Sequence, residues 1–415
     1  MTSAIPKAQA IAIDESSPRY AGWRVVIACY LAAVFCWGFG LYGHGVYLAE
    51  LHRLHGWPTS LISGATTVFY LMTATFVVFI SDAIAGFGPR RVMLIGGACF
   101  GGAVALLAII TDLWQLYIVY LLMAVGAASM HVGSISNVIG LWFDRQRGLA
   151  LSLALNGASS GGILVTPVLV LAIAHFGFAT AMLAAALLFA VVLLPVIALW
   201  IDRPPASVAP TPSGAVHAAA AAPAWSRRRA LNSPAFWSVA APFAVALTAQ
   251  VGFLVHQVAF LQPVLGRAEA GISVAVLTVT AIVGRLILGM LAQRINVRRF
   301  TACSLASQAA ALLAMIWTGD AAALYVACAV YGFSAGNLIT LPSLVIQREF
   351  EAASFGMLVG LSWAISQFTY AFGPGLLGVI RDMTGGYGAP LALCVALKVA
   401  AAVLILMRPK PLSRA

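Results

Sequence analysis

The stretch SDAIAGFGPRR (residues 81–91) recurs 208 residues further on as GMLAQRINVRR (residues 289–299). Both copies end an apolar run, make a short turn and place two arginines where the next apolar run begins. The offset is almost half of the 415 residues of the chain. The sequence therefore predicts two halves of similar fold.

Composition places the chain in a membrane. Apolar residues make up 62% of it, charged residues only 8%, and the mean hydropathy is +0.98, well outside soluble globular usage. Runs of about 20 apolar residues are long enough to cross the hydrocarbon core. We predict an all-α membrane protein with twelve spans in two six-helix bundles, at approximately 23–48, 59–84, 91–111, 114–140, 148–174, 178–201, 235–263, 272–293, 300–318, 321–347, 355–380 and 387–407.

The net charge of +11 would suit a nucleic-acid partner, but the positions of the basic residues exclude that class. Two basic residues, Arg285 and Lys398, fall within spans, and three fall on one side of the membrane: Arg53, Arg267 and Arg381. The other eighteen fall on the opposite side: Lys7, Arg19, Arg24, Arg90, Arg91, Arg145, Arg147, Arg203, Arg227, Arg228, Arg229, Arg294, Arg298, Arg299, Arg348, Arg408, Lys410 and Arg414. This asymmetry predicts that both termini are cytoplasmic.

The hydrophobic pattern stops between Asp202 and Pro234, where prolines and the triplet Arg227–Arg229 appear. We predict five segments: a tail at 1–22, a bundle at 23–201, a linker at 202–234, a bundle at 235–408 and a tail at 409–415. The basic triplet either fixes topology or binds anionic lipid. The first twenty residues lack the pattern of a removable signal peptide, so the first helix is expected to direct insertion.

The repeated motif resembles the signature of the major facilitator superfamily, Gly-x-x-x-Asp-Arg-x-Gly-Arg-Arg. The residues that match or lie beside the signature are Asp82, Gly88, Arg90 and Arg91 in the first copy and Gly289, Arg294, Arg298 and Arg299 in the second. Asp82 is displaced by about one turn from the signature's acidic position, and Gln293 stands there in the second copy. The resemblance implies a cytoplasmic latch between the halves, which these departures weaken.

The segment WFDRQRGLALSLALNG (residues 142–157), which contains Arg145 and Arg147, is similar to monocarboxylate transporters and to oxalate–formate type carriers. The segments GVYL (45–48) and Gly56-Trp57 also resemble bacterial members of that group. This resemblance implies a carrier of a small organic anion.

Arg285 lies inside the otherwise apolar stretch 271–292. A charge at the membrane centre costs at least about 2.5–3.5 kcal/mol, so it is expected to face a cavity or an anionic partner. Its position also aligns with the substrate-carboxylate arginine of the monocarboxylate group, and a guanidinium matches a carboxylate with a planar fork of donors. The alternative is a glycine–arginine packing motif.

Ala281 stands where monocarboxylate carriers hold a proton-linked aspartate, and Asp82, Glu349 and Asp382 sit near span ends. Histidine titrates near physiological pH, so His44, His131 and His256 are the candidate proton carriers. For each of them a packing histidine is the alternative. The further polar candidates for a substrate cavity are Tyr42, His44, Tyr70, Asn156, His256, Gln257, Asn337, Trp363 and Gln367.

We therefore expect a monomeric secondary transporter of the bacterial inner membrane, moving a small organic anion with a coupled proton or an exchanged anion. The rival hypothesis is an exporter of a drug-like or neutral metabolite in which Arg285 is structural. We find no nucleophile, metal cluster or carboxylate pair of an enzyme and expect no cofactor. The six cysteines fall in apolar spans without metal-ligand spacing, and Lys398 is expected either to snorkel or to make a helix–helix contact.

Overall fold

The computed structural model describes residues 15, 17, 19–202, 225–291, 294–351 and 354–407. Most of the predicted linker and both predicted tails lie outside these residues, as do Lys7, Arg203, Gln293, Arg408, Lys410 and Arg414. The described residues form helices joined by short turns.

Six long helices form each half. The N-terminal half contains α1 (Gly22–His55), α2 (Thr59–Phe87), α3 (Pro89–Leu106), α4 (Leu113–Trp142), α5 (Arg147–Phe176) and α6 (Phe178–Trp200). The C-terminal half contains α7 (Pro234–Leu265), α8 (Arg267–Leu291), α9 (Val297–Trp317), α10 (Ala321–Ile339 and Leu341–Glu349), α11 (Phe355–Tyr370 and Gly373–Thr384) and α12 (Gly388–Leu406). A short helix at Arg227–Leu231 precedes α7.

The predicted all-α fold of two six-helix bundles is confirmed. In the described part of the chain, ten helices are long and apolar enough to cross a membrane. The other two crossings are α3, which is short and begins with two arginines, and α11, which is interrupted at residues 371–372. The largest difference from the predicted spans is at α1, which continues to His55 instead of ending near residue 48.

The two halves repeat in their contacts as well as in their sequence. Arg90, at the start of α3, donates to the carbonyl of Ile201 (2.8 Å), just beyond α6. Arg298, 208 residues later at the start of α9, donates to the carbonyl of Ile405 (2.8 Å) in the last turn of α12. Each half therefore uses the first arginine of its repeated pair to tie its third helix to the end of its sixth.

The halves meet closely at one end of the bundle. We call the end where α1 begins and α12 ends the linker end, and the end where α1 finishes and α2 begins the opposite end. Helix α2 packs extensively on the Gly373–Thr384 part of α11 and far less on the Phe355–Tyr370 part. Where helix α8 contacts the N-terminal half, it likewise packs mainly on the Thr166–Phe176 part of α5. The halves are therefore closed at the opposite end and diverge toward the linker end.

Lys398 does not snorkel. Its side chain is fully buried in the C-terminal half, and Nζ lies 5.6 Å from the centre of the Tyr331 ring on α10. In the described ranges, Nζ has no hydrogen-bond acceptor. The predicted alternative, a helix–helix contact, is what the structure shows.

Candidate substrate site

Arg285 lies where α8 faces the N-terminal half, and its side chain is half-buried. Its Nε donates to the carbonyl of Gly336 on α10 (3.3 Å), and Tyr42 of α1 is close enough to interact with it electrostatically. In residues 15–407, apart from the gaps given above, no carboxylate forms an ion pair with Arg285. The guanidinium therefore brings a positive charge to the interface without an acid of the described chain to neutralise it.

Glycine residues explain why Arg285 reaches α10. A Cβ atom at Gly284 would lie 1.9 Å from the carbonyl oxygen of Phe333, and one at Gly336 would lie 2.1 Å from that of Ala281. Only glycine allows the backbones of α8 and α10 to approach this closely. The glycine–arginine packing motif, which is the alternative role of Arg285, is thus present through Gly284. The side chain of Arg285 itself lies beside the interface between the two halves.

Irregular helical turns bring α1 and α5 to the same place. Both helices contain a π-helical turn, Gly38–Tyr42 in α1 and Gly161–Val165 in α5, and such turns are frequent at functional sites. The turns touch, because a Cβ at Gly161 would lie 2.7 Å from the backbone nitrogen of Gly38. The hydroxyl of Tyr42 interacts with that of Thr278, which lies on α8 about two turns before Arg285 and on the same face of the helix. Tyr42, Thr278, Arg285 and Gly336 therefore form one cluster across the interface, which we call the Arg285 cluster.

The other candidates of the N-terminal half divide between the interface and the core. Tyr70 lies at the interface, with its ring edge-on to that of Tyr370 in the other half and centroids 5.7 Å apart. His44 is fully buried in an aromatic group and lies 4.5 Å from the ring of Phe69, centroid to centroid. In its surroundings His44 resembles a packing histidine more than a cavity residue.

His131 and Asn156 occupy separate positions. His131 stands at a break in α4 and stacks on Trp37, with ring centroids 5.4 Å apart. Asn156 is exposed beside a groove of about 350 Å³ that α1 and α5 form alone, lined also by Trp23, Val26, Ile27, Tyr30 and Leu153. The groove contains no residue of the C-terminal half, so Asn156 is not part of the Arg285 cluster.

In the C-terminal half, two candidates are bonded within the bundle. His256 lies between α11 and α12: Nε2 is 2.9 Å from the carbonyl of Pro374, and Nδ1 is 3.2 Å from the hydroxyl of Tyr387. A carbonyl only accepts, so Nε2 carries the hydrogen and the Tyr387 hydroxyl donates to Nδ1. Gln257 donates to Ser273 on α8 (3.2 Å). Both side chains are buried and have structural partners.

The remaining candidates lie nearer to Arg285 or on α11. Asn337 follows Gly336 in the 3-10 turn that interrupts α10, and its Oδ1 is buried with no hydrogen-bond partner among the residues described. Trp363 and Gln367 are partly exposed on the linker-end part of α11. Asn337 is thus an unpartnered acceptor one residue from a carbonyl that binds Arg285.

The opposite end is held by polar side chains from both halves, which we call the clasp. It consists of Glu50, His52 and Ser60 from the N-terminal half and Arg267, Arg381 and Asp382 from the C-terminal half. Arg267 pairs with the Glu50 carboxylate (3.3 Å), which is only 2% exposed and also accepts from Arg53 (2.8 Å).

Two further hydrogen bonds of the clasp cross between the halves. The backbone N–H of Ser60 donates to Oδ2 of Asp382 (2.7 Å), and Nη2 of Arg381 lies 3.2 Å from Nε2 of His52. Nearer the middle of the bundle, the N–H of Gly375 donates to the hydroxyl of Thr67 (3.1 Å). Closure at the opposite end is therefore polar and specific as well as close-packed.

Comparison with known proteins agrees with this architecture. The sequence matches the Major Facilitator Superfamily over residues 30–267 and 258–415. The chain belongs to this superfamily. The facilitator also resembles a solved bacterial homologue of the human lysosomal transporter Spinster, in an inward-facing and occupied conformation, with a TM-score of 0.72 and 14% identity over 95% of this chain and 96% of that one.

Two curated relatives cover most of the facilitator. The uncharacterised MFS-type transporter YcxA of Bacillus subtilis is 24% identical over 92% of this chain and 93% of its own length. Monocarboxylate transporter 13 of Bos taurus is 25% identical over 94% of this chain and 89% of its own length. The protein is therefore a membrane transporter of a small-molecule substrate.

The signature residues of the facilitator lie at the linker end and are mostly exposed there. Gly88 ends α2 with φ of 86°, a conformation that favours glycine. Arg90 and Arg298 bind within their own halves, as described above. Asp82 is exposed and forms no ion pair among the described residues. The other exposed signature residues are Arg91, Gly289, Arg294 and Arg299, and Arg145 and Arg147 of the segment 142–157 are exposed at the same end.

Sequence reasoning missed the clasp. Glu50 and His52 fall just beyond the predicted first span, so neither is among the candidate residues of the sequence analysis. The signal was Gly56, whose positive φ of 67° ends α1. A glycine that follows a helical run commonly marks the residue after the helix end, so the polar stretch AELHRLH (49–55) could have been assigned to the helix.

Proposed function

We propose that this facilitator moves a small organic anion, a mono- or dicarboxylate, by alternating access, and that Arg285 binds the carboxylate. The observation that carries the proposal is the position of Arg285 at the interface of the halves, with no carboxylate partner in the described ranges. An anionic substrate would neutralise this charge in a site where water is partly excluded.

The Arg285 cluster supplies the chemistry that such a substrate needs. The guanidinium presents a fork of N–H donors, and the hydroxyl of Tyr42 lies beside it. The hydroxyl of Thr278 donates to the carbonyl of Val274 within α8 (2.7 Å) and so helps to position Tyr42. A hydrogen bond to a charged group contributes about 1.5–3 kcal/mol. Loss of the arginine is therefore expected to weaken binding by about 10-fold to 150-fold.

We propose an orientation in the bacterial inner membrane with both termini in the cytoplasm, because eighteen basic residues flank the spans on that side and three on the other. The linker end then faces the cytoplasm and the clasp faces outward. In this orientation the structure is inward-open. The bundles 23–201 and 235–408 are the two bodies that rock about the substrate, joined by the linker 202–234, in a monomer.

The test is transport into proteoliposomes of lactate and oxalate, as mono- and dicarboxylate probes. We expect Arg285→Ala to abolish most uptake of whichever probe the unmodified protein carries, and Arg285→Lys to retain only part of it, because an ammonium lacks the planar fork. Arg228→Ala, an exposed arginine of the short linker helix, is the matched control and should transport normally. Unchanged uptake by both Arg285 variants would refute the proposal.

Two observations favour the rival hypothesis of a neutral or drug-like substrate. Arg285 already donates to Gly336, so it also has a structural contact, and the groove beside Asn156 is lined mainly by apolar side chains. Lactamide has nearly the shape of lactate without its charge and separates the two functions. If lactamide competes with transport as well as lactate does, the charge of the substrate is not recognised and the anion hypothesis is wrong.

A further inference from the structure

The clasp contains a histidine whose protonation state is specified by its two neighbours. Nδ1 of His52 lies 2.7 Å from the carbonyl oxygen of Trp57, and Nε2 lies 3.2 Å from Nη2 of Arg381. A carbonyl oxygen only accepts a hydrogen bond, so Nδ1 carries the hydrogen and donates it. A guanidinium only donates, so Nε2 must present its lone pair. The contact between the halves therefore requires neutral His52.

A proton on Nε2 would convert this contact into a repulsion. Both ring nitrogens would then be donors, and two cations would face each other across the 3.2 Å between His52 and Arg381. The Arg381 guanidinium is held in place by Asp382 (3.0 Å) and lies 6.0 Å from the ring centre of Tyr387. Glu50 faces Arg53 and Arg267 rather than the histidine.

His52 is partly exposed, so protons from solution reach it. Histidine gains its proton in the range between pH 5 and 8. An aspartate is ionised above about pH 4, so Asp382 keeps its charge over that range. Among the types of side chain that form the clasp, histidine is the one that takes up a proton at moderately acid pH.

We propose that His52 is a proton-binding site that controls the clasp: the closed clasp accepts only neutral His52, and acid shifts the protein toward the form in which the halves are separated at the opposite end. A ligand that binds one of two states shifts the equilibrium toward that state, and here the ligand is the proton. The inference rests on the proposed function only in taking alternating access as the motion. It does not depend on the identity of the substrate or on the role of Arg285.

The limiting size of the effect follows from linkage. If an ordinary histidine titrates fully in the open form and not at all in the closed form, the ratio of open to closed protein rises by about 10-fold to 30-fold between pH 7.5 and pH 5.0. If a few per cent of the protein is open at pH 7.5, the open form would then be populated enough at pH 5.0 to be detected as a second conformation.

The experiment measures the opening directly, without a substrate. Spin labels are placed at Leu54→Cys and Met383→Cys, two exposed positions on opposite sides of the clasp. Cys303, which is exposed, and Cys99, which is partly exposed, are first replaced by serine. The distance between the two labels is measured by double electron–electron resonance in lipid nanodiscs. We expect one short distance at pH 7.5 and an additional, longer distance at pH 5.0.

Two substitutions of His52 distinguish the proposal from other effects of acid. His52→Gln can still accept from Arg381 but gains no proton, so its distances should remain short at both pH values. His52→Lys carries a permanent charge and should show the longer distance at both. His55→Gln is the matched control, because His55 stacks on Trp57 (centroids 4.2 Å apart) next to the clasp and should leave the response intact.

The proposal is overturned if His52→Gln responds to acid as the unmodified protein does, or if His52→Lys stays closed. Neither outcome bears on carboxylate transport by Arg285, since no substrate is present. Failure of the anion hypothesis would conversely leave the distances and their pH dependence unchanged.

Discussion

Replacing Arg298 by methionine is expected to destabilise the protein several times more than the same replacement at Arg90, although the two arginines are equivalent by sequence. The Arg298 side chain is only 5% exposed. It donates to both carboxylate oxygens of Glu349 (2.7 Å each), to the carbonyl of Ile405 (2.8 Å) and to the hydroxyl of Ser238 (2.8 Å). It therefore joins α7, α9, α10 and α12 at one point.

The expected magnitude follows from burial. Removing one partner of a buried ion pair costs about 3–5 kcal/mol, because the remaining charge stays desolvated and loses the attraction of its counter-ion. The Glu349 side chain is 25% exposed, so water can still solvate part of its carboxylate after Arg298 is removed. We therefore take the lower value, a loss of about 3 kcal/mol in the free energy of unfolding. Arg90 is 42% exposed and its partner Asp202 58% exposed, and such pairs contribute about 0–1 kcal/mol.

The assay is thermal unfolding of the detergent-purified protein, with matched preparations of Arg298→Met and Arg90→Met. A change of 1 kcal/mol shifts the melting temperature of a body of 150–250 residues by about 2–4 °C. We expect a loss of about 6–12 °C for Arg298→Met and at most about 4 °C for Arg90→Met. Equal shifts would show that the buried contacts of Arg298 contribute no more than the exposed ones of Arg90, and would refute the reasoning.

Two further predictions test other parts of the fold. Lys398→Met should leave the melting temperature unchanged or raise it, because methionine fills a similar volume beneath Tyr331 without a buried charge that lacks an acceptor; a fall of several degrees in thermal unfolding would contradict this. Gly378→Val should lengthen the spin-label distance across the clasp at pH 7.5, because a Cβ there would lie 2.0 Å from the Ser63 hydroxyl of the other half. Gly386→Val is the control, because a Cβ there would meet open space. An unchanged distance in Gly378→Val would contradict the prediction, since it would show that the interface accommodates the valine without opening.

The helices were predictable because the bilayer restricts what can cross it. Every backbone group in hydrocarbon must be bonded within the segment, so an apolar run of about 20 residues has one structure available. The ends of helices have no such restriction. Helix α1 continues past its predicted end because Gly56 is the first position that stops it. Two polar residues before Gly56, Glu50 and His52, bond to the other half.

The candidate site was predictable only in part. A charged residue in an apolar run can be recognised from the sequence, but the residues that pack around it come from other helices. Arg285 stands out in the sequence since a charge in an apolar run needs a reason. Its neighbours Tyr42 and Gly336 come from other helices, far along the chain, and are selected by where glycines let those helices approach. By sequence, His256 is an equally good candidate for the substrate site, because it is also a polar residue within a span. In the structure, however, both of its ring nitrogens form hydrogen bonds inside the C-terminal half.

The clasp and the Arg285 cluster are connected through the same two helices. Helix α8 carries Arg267 in its first turn and Arg285 eighteen residues later, about 27 Å along the axis, while α1 carries Tyr42 about 15 Å before His52. A helix transmits displacement along its length, so separation of Arg267 and Arg381 from α1 must alter how Tyr42 faces Thr278 and Arg285. The π-helical turn at Gly38–Tyr42 lies in α1 at that level and lacks the regular hydrogen-bond pattern of its neighbours. If both proposals hold, protonation in the clasp and substrate binding at the Arg285 cluster act on the same equilibrium between the closed and open forms.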